Sequence, residues 1–348
     1  MAFGVRFRIV AFAWKVFRMT SPTPQQLAHS GSLEDLYKQL GAIRMGAGWA
    51  KPTPSLWAEP KKSFQPFTWS YAQAKGALEA AGRLINTELA ERRNLIMQNP
   101  AGDYATSRTI VAAYQMIMPG EKARSHRHTP NALRLIIDAE PGAYTIVNGE
   151  RLSMMPGDVV LTPNWCWHGH GNDSQACAYW LDVLDVPLVH LLEPMFFESH
   201  PEEFEKETVV ANASPMHFSW ADTQRRLAEA GGHSNGQPAE IALGETESEK
   251  SALATMALSM IELKPKQGTA ARKVMANSVF GVAKGSGVTE VEGTKLSWSR
   301  GDVIVVPAWH EHIHRSDDGA VLFRVTDEPV MEKLGFLREG KPAHQGSH

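Results

Sequence analysis

The sequence NGERLSMMPGDVVLTPNWCWHGH, from Asn148 to His170, recurs in altered form as EGTKLSWSRGDVIVVPAWHEHIH, from Glu292 to His314. The two stretches align without a gap, with the second starting 144 residues after the first (292 against 148). The identical positions of the first copy include Gly157, Asp158, Pro163, Trp165, His168 and His170. A repeat at one fixed offset predicts the duplication of a structural module.

Short β-rich runs surround both copies of the repeat. In the first half these runs are TIVAAYQMIM, LRLII, AYTIV and DVVLTP, and glycine, proline and asparagine separate them. Residues 107–188 and 253–329 share this character. Short, evenly spaced runs with turn residues between them are typical of a small all-β barrel or sandwich. The sequence therefore predicts an all-β core of two barrels.

The remaining segments read differently. Segment 71–93 has Ala, Leu and Ile at helical spacing, and the polar, acidic segment 197–250 includes a predicted helix at 219–230. We divide the chain into a helical and irregular N-terminal region (1–100), a first barrel (101–195), a linker with a helix (196–250), a second barrel (251–335) and a tail (336–348). Residues 1–20 are basic without an acid, which fits either a targeting-like segment or an extension ahead of a natural start at Met19.

Composition limits the classes of function. The net charge of -3 gives no electrostatic reason to expect nucleic acid as a partner. No apolar run reaches the roughly 18 residues that indicate a membrane span. Two cysteines, Cys166 and Cys177, are too few for a disulfide scaffold in a chain of 348 residues. We expect two free thiols and a cytoplasmic protein.

Two pairs of histidines carry the chemical signal. His126 and His128 are two residues apart, so on a strand their side chains point to the same face. His168 and His170 repeat this spacing about 40 residues later, and one barrel can bring a third imidazole to the first two. Three neutral imidazoles suit Fe, Zn, Cu or Ni better than Mg or Ca. The alternative is a polar network without a metal, since a single His-x-His is most often a surface feature.

Arg134 has the same strand parity as His126 and His128, which would direct it to the barrel interior. A buried arginine needs an anionic partner. Its partner is either an internal acid, such as Asp182 or Asp185, or the carboxylate of a substrate, which the planar guanidinium fits well.

These motifs resemble those of the cupin superfamily. The first cupin pattern, G-x5-H-x-H, is met by Gly120, His126 and His128, and the second, G-x5-P-x4-H-x3-N, is met by Gly157, Pro163, His168 and Asn172. Many cupins carry a metal-binding glutamate a few residues after the second histidine, but segment 129–134 contains no acid. A site of three histidines would leave room for an anionic substrate and for dioxygen.

Longer stretches of the sequence resemble one particular family within the cupin superfamily. The stretches HRHTPNALRLII, GDVVLTPNWCWHGHGND and YWLDVLDVPLV resemble the gentisate 1,2-dioxygenase family, whose members include relatives acting on salicylates and 1-hydroxy-2-naphthoate. The resemblance covers residues 90–335. It implies a bicupin fold of two jelly-roll barrels, Fe(II), dioxygen as co-substrate and frequent homotetramers. It also implies ring cleavage between the carbons that bear the carboxylate and the hydroxyl.

Carried over by position, His126, His128 and His168 look like the iron ligands. The residues that look like the substrate pocket or its surroundings are Arg134, Arg92, Gln115, His170 and Asp182. The resemblance leaves the aromatic acid open among gentisate, salicylate and substituted salicylates such as 5-nitrosalicylate. The alternative of another class is a non-catalytic cupin that binds an aromatic acid.

The second barrel departs from the pattern. Aligning the repeats places Arg272 opposite His126 and Val274 opposite His128. We therefore expect one iron per chain, and a second barrel that serves structure or oligomerisation. Its histidines, His310, His312 and His314, are expected to be hydrogen-bonded or exposed.

Overall fold

The computed structural model describes residues 21–50, 55–86, 92–102, 104–210, 213–233, 237–244 and 251–341. The basic segment 1–20 lies outside the described residues. The chain divides into two units, residues 1–60 and residues 61–348. None of the helices in the described ranges is long and apolar enough to span a membrane.

The smaller unit contains two capped helices, α1 (Pro24–Ala28) and α2 (Leu33–Ala42). The hydroxyl of Thr23 accepts a hydrogen bond from the Gln26 backbone, and the Gln26 side chain accepts one from the Thr23 backbone. Ser32 caps α2 by accepting a hydrogen bond from the backbone N–H of Asp35. Each helix therefore begins where a hydroxyl side chain satisfies an unpaired backbone donor.

The larger unit is built mainly of strands. Its helices are α3 (Tyr71–Leu84), α4 (Val186–Leu192), α5 (Trp220–His233) and α6 (Glu328–Lys333). Its strands up to the middle of the chain are β1 (Phe67–Trp69), β2 (Arg93–Ile96), β3 (Val111–Ile117), β4 (Lys122–His128), β5 (Ala132–Asp138), β6 (Ala143–Val147), β7 (Glu150–Ser153), β8 (Val159–Thr162), β9 (His168–Asn172) and β10 (Ala178–Leu184). The later strands are β11 (Phe197–Ser199), β12 (Val209–Val210), β13 (His217–Phe218), β14 (Ala239–Leu243), β15 (Ala257–Leu263), β16 (Gln267–Gly268), β17 (Ser278–Val291), β18 (Thr294–Ser299), β19 (Val303–Val306), β20 (His312–Ser316) and β21 (Ala320–Thr326).

Two β-modules contain these strands, and they confirm the predicted all-β, two-barrel core. The first module has two sheets, in the orders β13-β8-β5-β10-β3-β2 and β11-β4-β9-β6-β7-β12. The second has a sheet of order β1-β19-β17-β21-β15-β14, to which β16, β18 and β20 are joined. Strand β17 is long because it runs through the positions that β5 and β6 occupy separately in the first module. A shared apolar core joins the modules, and it includes Leu135 and Leu181 from one and Val279 and Phe323 from the other.

The duplication extends to the backbone conformation. Asn148 and Glu292, which correspond in the repeat, have φ values of 47° and 48°. Trp165 and Trp309 also correspond, and their φ values are 62° and 66°. Positive φ is uncommon for residues with a side chain. Its recurrence at matched positions is therefore strong evidence that the two modules derive from one unit.

Each module receives a strand from the other half of the chain, and the helix that follows this strand begins at the Gly-Asp turn of the same module. Strand β1 pairs with β19, and β13 pairs with β8. The backbone N–H of Tyr71, at the start of α3, donates to Asp302, and that of Trp220, at the start of α5, donates to Asp158; both distances are 2.8 Å. A Cβ atom on Gly157 would lie 2.5 Å from the ring of Trp220. The repeated Gly-Asp pair is thus explained by helix docking, because the aspartate binds the helix and the glycine makes room for it.

The predicted helix over 71–93 is wrong in its last part, because α3 ends at Leu84. Ile85 is extended, and Arg93 begins β2. The guanidinium of Arg93 donates to the carbonyl oxygen of Ile85 and pairs with Glu121. These tertiary contacts outweigh the local helical pattern. The helix predicted at 219–230 is present as α5, and the two cysteines are free thiols, as expected.

Candidate metal centre and active site

Three histidines of the first module converge. His126 and His128 lie on β4, and His168 lies on the antiparallel neighbour β9, directly opposite His126. Each offers a ring nitrogen, and these three nitrogen atoms lie within 4.8 Å of one another. The strand parity expected from the sequence thus places three imidazoles around one point.

The glycines of β9 explain how this strand can present its histidines. In the run HGHGN, His168 and His170 alternate with Gly169 and Gly171. A Cβ atom on Gly169 would lie 2.4 Å from the Ser125 hydroxyl, and one on Gly171 would lie 2.2 Å from the Tyr144 hydroxyl. The opposite face of the strand therefore has no space for side chains, which explains why both positions are glycine.

Backbone carbonyl groups orient the three rings. The Nδ1 atom of His128 lies 2.8 Å from the carbonyl oxygen of Pro130, and that of His168 lies 3.0 Å from that of Cys166. The Nδ1 atom of His126 lies 3.4 Å from the carbonyl oxygen of Arg124. Because a carbonyl oxygen can only accept, Nδ1 of His128 and of His168 carries the proton and Nε2 keeps its lone pair. Nδ1 of His126 also lies 2.7 Å from a terminal nitrogen of Arg92, which can only donate, so the contacts of His126 do not assign its tautomer.

Burial keeps these rings neutral. Burial and the neighbouring Arg92 lower the pKa of His126 to about 2. Burial also lowers the pKa of His128 and holds that of His168 well below its usual range. Neutral imidazole is the form that binds metal. The three Nε2 atoms therefore fit a divalent transition-metal ion, with no carboxylate among the predicted ligands.

Arg134 points into the module, as its parity predicted, and it is 2% exposed. Its Nε atom donates to Asp182 across 3.1 Å, and one terminal nitrogen donates to Thr145 across 2.9 Å. Of the two acids considered as internal partners, it pairs with Asp182, since Asp185 binds Asn131 instead. Asp182 thus orients the guanidinium, and among the described residues the hydrogen-bond partners of its terminal nitrogens are hydroxyl and imidazole groups.

His170 is held as a hydrogen-bond donor. Its Nδ1 atom lies 2.9 Å from the Thr145 hydroxyl and 3.3 Å from a terminal nitrogen of Arg134. A guanidinium can only donate, so Nδ1 accepts and the proton resides on Nε2. Burial and Arg134 hold the pKa of His170 well below its usual range, so the ring is neutral. This histidine presents an N–H group, unlike His128 and His168, which keep the Nε2 lone pair.

Arg92 and Gln115 lie at the same site. Both line a small cavity of about 10 Å³ together with His170 and Trp180. The two terminal nitrogens of Arg92 lie 2.9 Å and 2.7 Å from Nε2 and Nδ1 of His126. The structure therefore brings all the predicted site residues into one region of the first module.

Sequence reasoning missed two aromatic residues of this region. Trp180 is fully buried, and within the described ranges its indole nitrogen has no hydrogen-bond partner. It lies two residues before Asp182, so strand parity was the available signal. Phe197 stacks on His126 with ring centroids 5.1 Å apart. It was missed because it falls in the acidic segment assigned to the linker.

The second module has lost the corresponding set of ligands. The backbone of Arg272 pairs with that of His312, just as the backbone of His126 pairs with that of His168. The backbone carbonyl of Val274 accepts a hydrogen bond from the N–H of Trp309, just as that of His128 accepts one from Trp165. These contacts confirm the predicted alignment of Arg272 and Val274 with the two strand ligands. The expectation for the second set of histidines is met at Nδ1 of His314, which lies 2.7 Å from the Thr289 hydroxyl, but not at its Nε2 atom. That residue is 2% exposed, and among the described residues nothing bonds to its buried Nε2 atom.

Comparisons with known proteins agree with this geometry. A family model described as a cupin domain matches residues 113–184. A 5-aminosalicylate 1,2-dioxygenase from Comamonas sp. is 35% identical over 345 residues, covering 91% of this chain and 92% of the relative. The gentisate 1,2-dioxygenase 1 of Aquipseudomonas alcaligenes is 33% identical, covering 88% of this chain and 96% of the relative.

Solved structures give the same result. The salicylate 1,2-dioxygenase from Pseudaminobacter salicylatoxidans matches with a TM-score of 0.82 at 28% identity, covering 88% of this chain and 97% of that one. A variant of that enzyme in complex with gentisate matches with a TM-score of 0.83 at 27% identity, covering 94% and 98%. The fold and the histidine cluster define a two-barrel cupin. The chain belongs to the gentisate 1,2-dioxygenase family, and it is an oxidoreductase of the ring-cleaving dioxygenase class.

Proposed function

We propose that this protein uses Fe(II) and dioxygen to cleave the ring of a 2-hydroxybenzoate between the carbons that bear the carboxylate and the hydroxyl. Both oxygen atoms enter the product, which gains a 2-oxo acid and a second carboxylate. The observation that carries the proposal is the neutral histidine triad beside the buried donors Arg134 and His170. A ring that bears a carboxylate and an ortho hydroxyl offers the acceptors that these donors need.

His126, His128 and His168 would hold the iron through their Nε2 atoms. When bound, Fe(II) supplies the one-electron chemistry that triplet dioxygen needs in order to react with a closed-shell aromatic ring. The protein supplies three neutral ligands, so the full charge of the ion is available to attract an anionic substrate.

The donors around the triad would bind and orient the substrate. Asp182 fixes Arg134 through Nε, which leaves the two terminal nitrogens directed at neutral groups. His170 adds an N–H donor that Thr145 holds in position. A fork that is already oriented loses little side-chain entropy when it binds a carboxylate. We therefore assign Arg134 and His170 to the carboxylate and to the charge that develops during ring opening.

Arg92 has a second role in this proposal. Its hydrogen bond to Nε2 of His126 and a metal bond at that atom exclude each other, because both use the same lone pair. Metal loading would therefore release the Arg92 guanidinium toward another acceptor in the site. Gln115 and Trp180 line the same cavity, and the indole N–H of Trp180 is a further donor for a polar substituent.

The test is oxygen consumption by protein that has been loaded anaerobically with Fe(II). The panel contains gentisate, salicylate, 5-aminosalicylate, 5-nitrosalicylate and 1-hydroxy-2-naphthoate, and the control is 3-hydroxybenzoate, whose hydroxyl is not ortho to the carboxylate. We expect one dioxygen consumed for each ring opened, and no reaction with the control. Electron-donating substituents should favour turnover, so the panel also ranks the substrates. Tight binding of these acids without oxygen uptake would instead support a non-catalytic aromatic-acid binder.

We also propose a homotetramer. Its support is an exposed apolar segment at and beyond the end of α4, in which Leu191, Leu192, Phe196 and Phe197 are each more than half exposed. Exposed apolar clusters of this kind commonly mark contacts between subunits. Light scattering on the purified protein measures the mass directly, and a monomer would overturn this part of the proposal.

A further inference from the structure

The second module contains a pocket of about 490 Å³ at the position that corresponds to the metal centre of the first. Its walls include the apolar side chains of Ile261 and Phe280 and the polar side chains of Arg272, Arg324, His312 and His314. Its volume lies within the range of small-molecule sites, which are mostly apolar with a few fixed polar groups.

This pocket is not a weakened metal site. Of the three ligand positions, only His312 remains, because Arg272 and Val274 replace the other two. A guanidinium at a ligand position repels a divalent cation and has no lone pair to offer. His314 corresponds to His170, whose proton resides on Nε2 and makes that atom a hydrogen-bond donor.

The hydrogen bonds of His314 fix its tautomer in the same way. The indole N–H of Trp298 donates to the Thr289 hydroxyl across 2.9 Å, and that hydroxyl lies 2.7 Å from Nδ1 of His314. The indole can only donate, so it occupies one lone pair of the Thr289 oxygen, and within the described residues Nδ1 of His314 is the acceptor in reach of the Thr289 hydrogen. The Nε2 atom of His314 therefore carries a proton. It is buried, and within the described part of the chain no group accepts that hydrogen. A buried donor without an acceptor is costly unless a ligand supplies one.

The second module has a buried arginine, Arg324, that comes from a different strand than Arg134 does in the first. In the first module, Arg134 on β5 faces Asp182 on β10, whereas in the second, Phe280 occupies the arginine position and Arg324 the aspartate position. Arg324 is 7% exposed and donates to Ser278 and Glu328. One terminal nitrogen lies 4.0 Å from Glu240, which is beyond hydrogen-bonding distance.

Two guanidinium groups, Arg272 and Arg324, line the pocket together with one carboxylate, Glu240. Arg272 and Arg324 both bond to one oxygen of Glu328, so two guanidinium groups share one carboxylate. Glu240 lies at the edge of the pocket, half exposed, and its carboxylate accepts a hydrogen bond from Ser259. The interior thus combines buried donors with an aromatic and an aliphatic wall.

We propose that the second module binds a small aromatic monocarboxylate without a metal. The carboxylate accepts from His314 Nε2 and from Arg324, and the ring packs on Phe280 and Ile261. This site performs no chemistry, and it does not depend on the proposed ring cleavage. It would give the enzyme a second place, separate from the metal centre, where an aromatic acid can bind.

The experiment measures binding of benzoate by anaerobic calorimetry on the full-length protein. The His168→Ala protein serves as the background, because its metal centre is disabled. We expect it to bind one benzoate per chain. Adding His314→Phe, which keeps the ring and removes the donor, or Arg324→Gln should weaken that binding at least tenfold.

Folding is checked by the melting temperature of each variant. Ala271→Trp, at a half-buried lining position, fills the pocket without touching either donor and should also abolish binding. Absence of benzoate binding in the His168→Ala protein would overturn the proposal. So would equal affinity in all three pocket variants, or tight binding of Co²⁺ by the second module in the same background.

Discussion

The two β-modules share the contacts that form the fold and differ in the residues that face the interior. In the first, Asp185 accepts hydrogen bonds from Asn131 and from Thr255 of the other module. In the second, Asp327 accepts from Asn277 and from Thr109 in the same arrangement. These buried contacts connect the modules reciprocally. Changing one partner would leave a buried polar group without a bond, so the arrangement resists change.

Inside the modules the opposite holds. Arg272 and Val274 stand where the first module has His126 and His128, and Phe280 stands where it has Arg134, yet the backbone pairings at these positions keep their register. The second module also keeps a backbone carbonyl that orients a histidine ring. The Nδ1 atom of His312 lies 3.3 Å from the carbonyl oxygen of His310, and that of His168 lies 3.0 Å from the carbonyl oxygen of Cys166. The comparison teaches that a jelly-roll interior can exchange its chemistry while its turns and interface stay constant.

Replacing the matched histidines His168 and His312 should give the largest difference in iron content and turnover between the modules. His168→Ala should abolish iron binding and lower turnover by at least about 10³-fold, because two imidazoles hold iron poorly. The matched variant His312→Ala should keep one iron per chain and near-normal turnover. Metal analysis and oxygen uptake measure both. Loss of iron in His312→Ala, or two tightly bound irons in the wild type, would contradict the asymmetry between the modules.

A smaller contrast is expected for the buried arginines. Arg134→Ala should lower kcat/KM for 2-hydroxybenzoates by about 2–4 kcal/mol in transition-state terms, the range of a charge-assisted pair that loses one partner. Iron content should not change, and Arg134→Lys should restore part of the activity because a point charge cannot reproduce the fork. Arg324→Ala is the control in the second module and should leave kcat near normal.

The melting temperature decides between the two roles of Arg134. Because Asp182 is its buried partner, the alanine variant leaves an acid without a counter-charge, and some loss of stability is expected in either case. A lower melting temperature with unchanged kcat/KM would show that Arg134 serves the fold alone. The substrate carboxylate would then have to bind elsewhere, with Arg92 the next candidate.

Much of this contrast could be predicted from sequence. The spacing of His126 and His128, together with the gapless repeat around His168, was enough to predict the strand faces and the lost ligands of the second module. Local patterns of this kind determine parity, and parity determines which side chains meet inside a barrel.

Features that depend on contacts between distant strands could not be predicted. The choice of Asp182 over Asp185 as partner of Arg134 depends on the register of β5 against β10. The exchange of β1 and β13 between the modules has no local signal in the sequence. Arg324 was overlooked because the second module takes its buried guanidinium from a different strand, so aligning the repeats shows only that Arg134 has been lost.

A partial reversal would sharpen the comparison. Restoring both lost ligands, as Arg272→His with Val274→His, should create a weak metal site in the second module, because His312 and its orienting carbonyl are still in place. Cobalt is the appropriate probe, since its visible spectrum reports coordination directly. We expect a second equivalent of Co²⁺ to bind to the double variant, and only one to bind to Val274→His alone. One equivalent in both variants would mean that more than these two side chains separates the modules.

The smallest expected effect tests the reciprocity of the module interface. Thr109→Val and Thr255→Val each remove one hydroxyl that donates to a buried aspartate of the other module. Each should cost about 1–2 kcal/mol, the worth of a hydrogen bond to a charged group, and lower Tm by roughly 2–8 °C. Thr294→Val, at an exposed position of β18, is the control and should leave Tm almost unchanged. Because the two contacts are equivalent by pseudo-symmetry, the shifts should agree with each other, and iron content should not change. A large shift for only one of the two variants would show that the modules are not held together symmetrically, and that the metal-bearing half depends on its partner more than its partner depends on it.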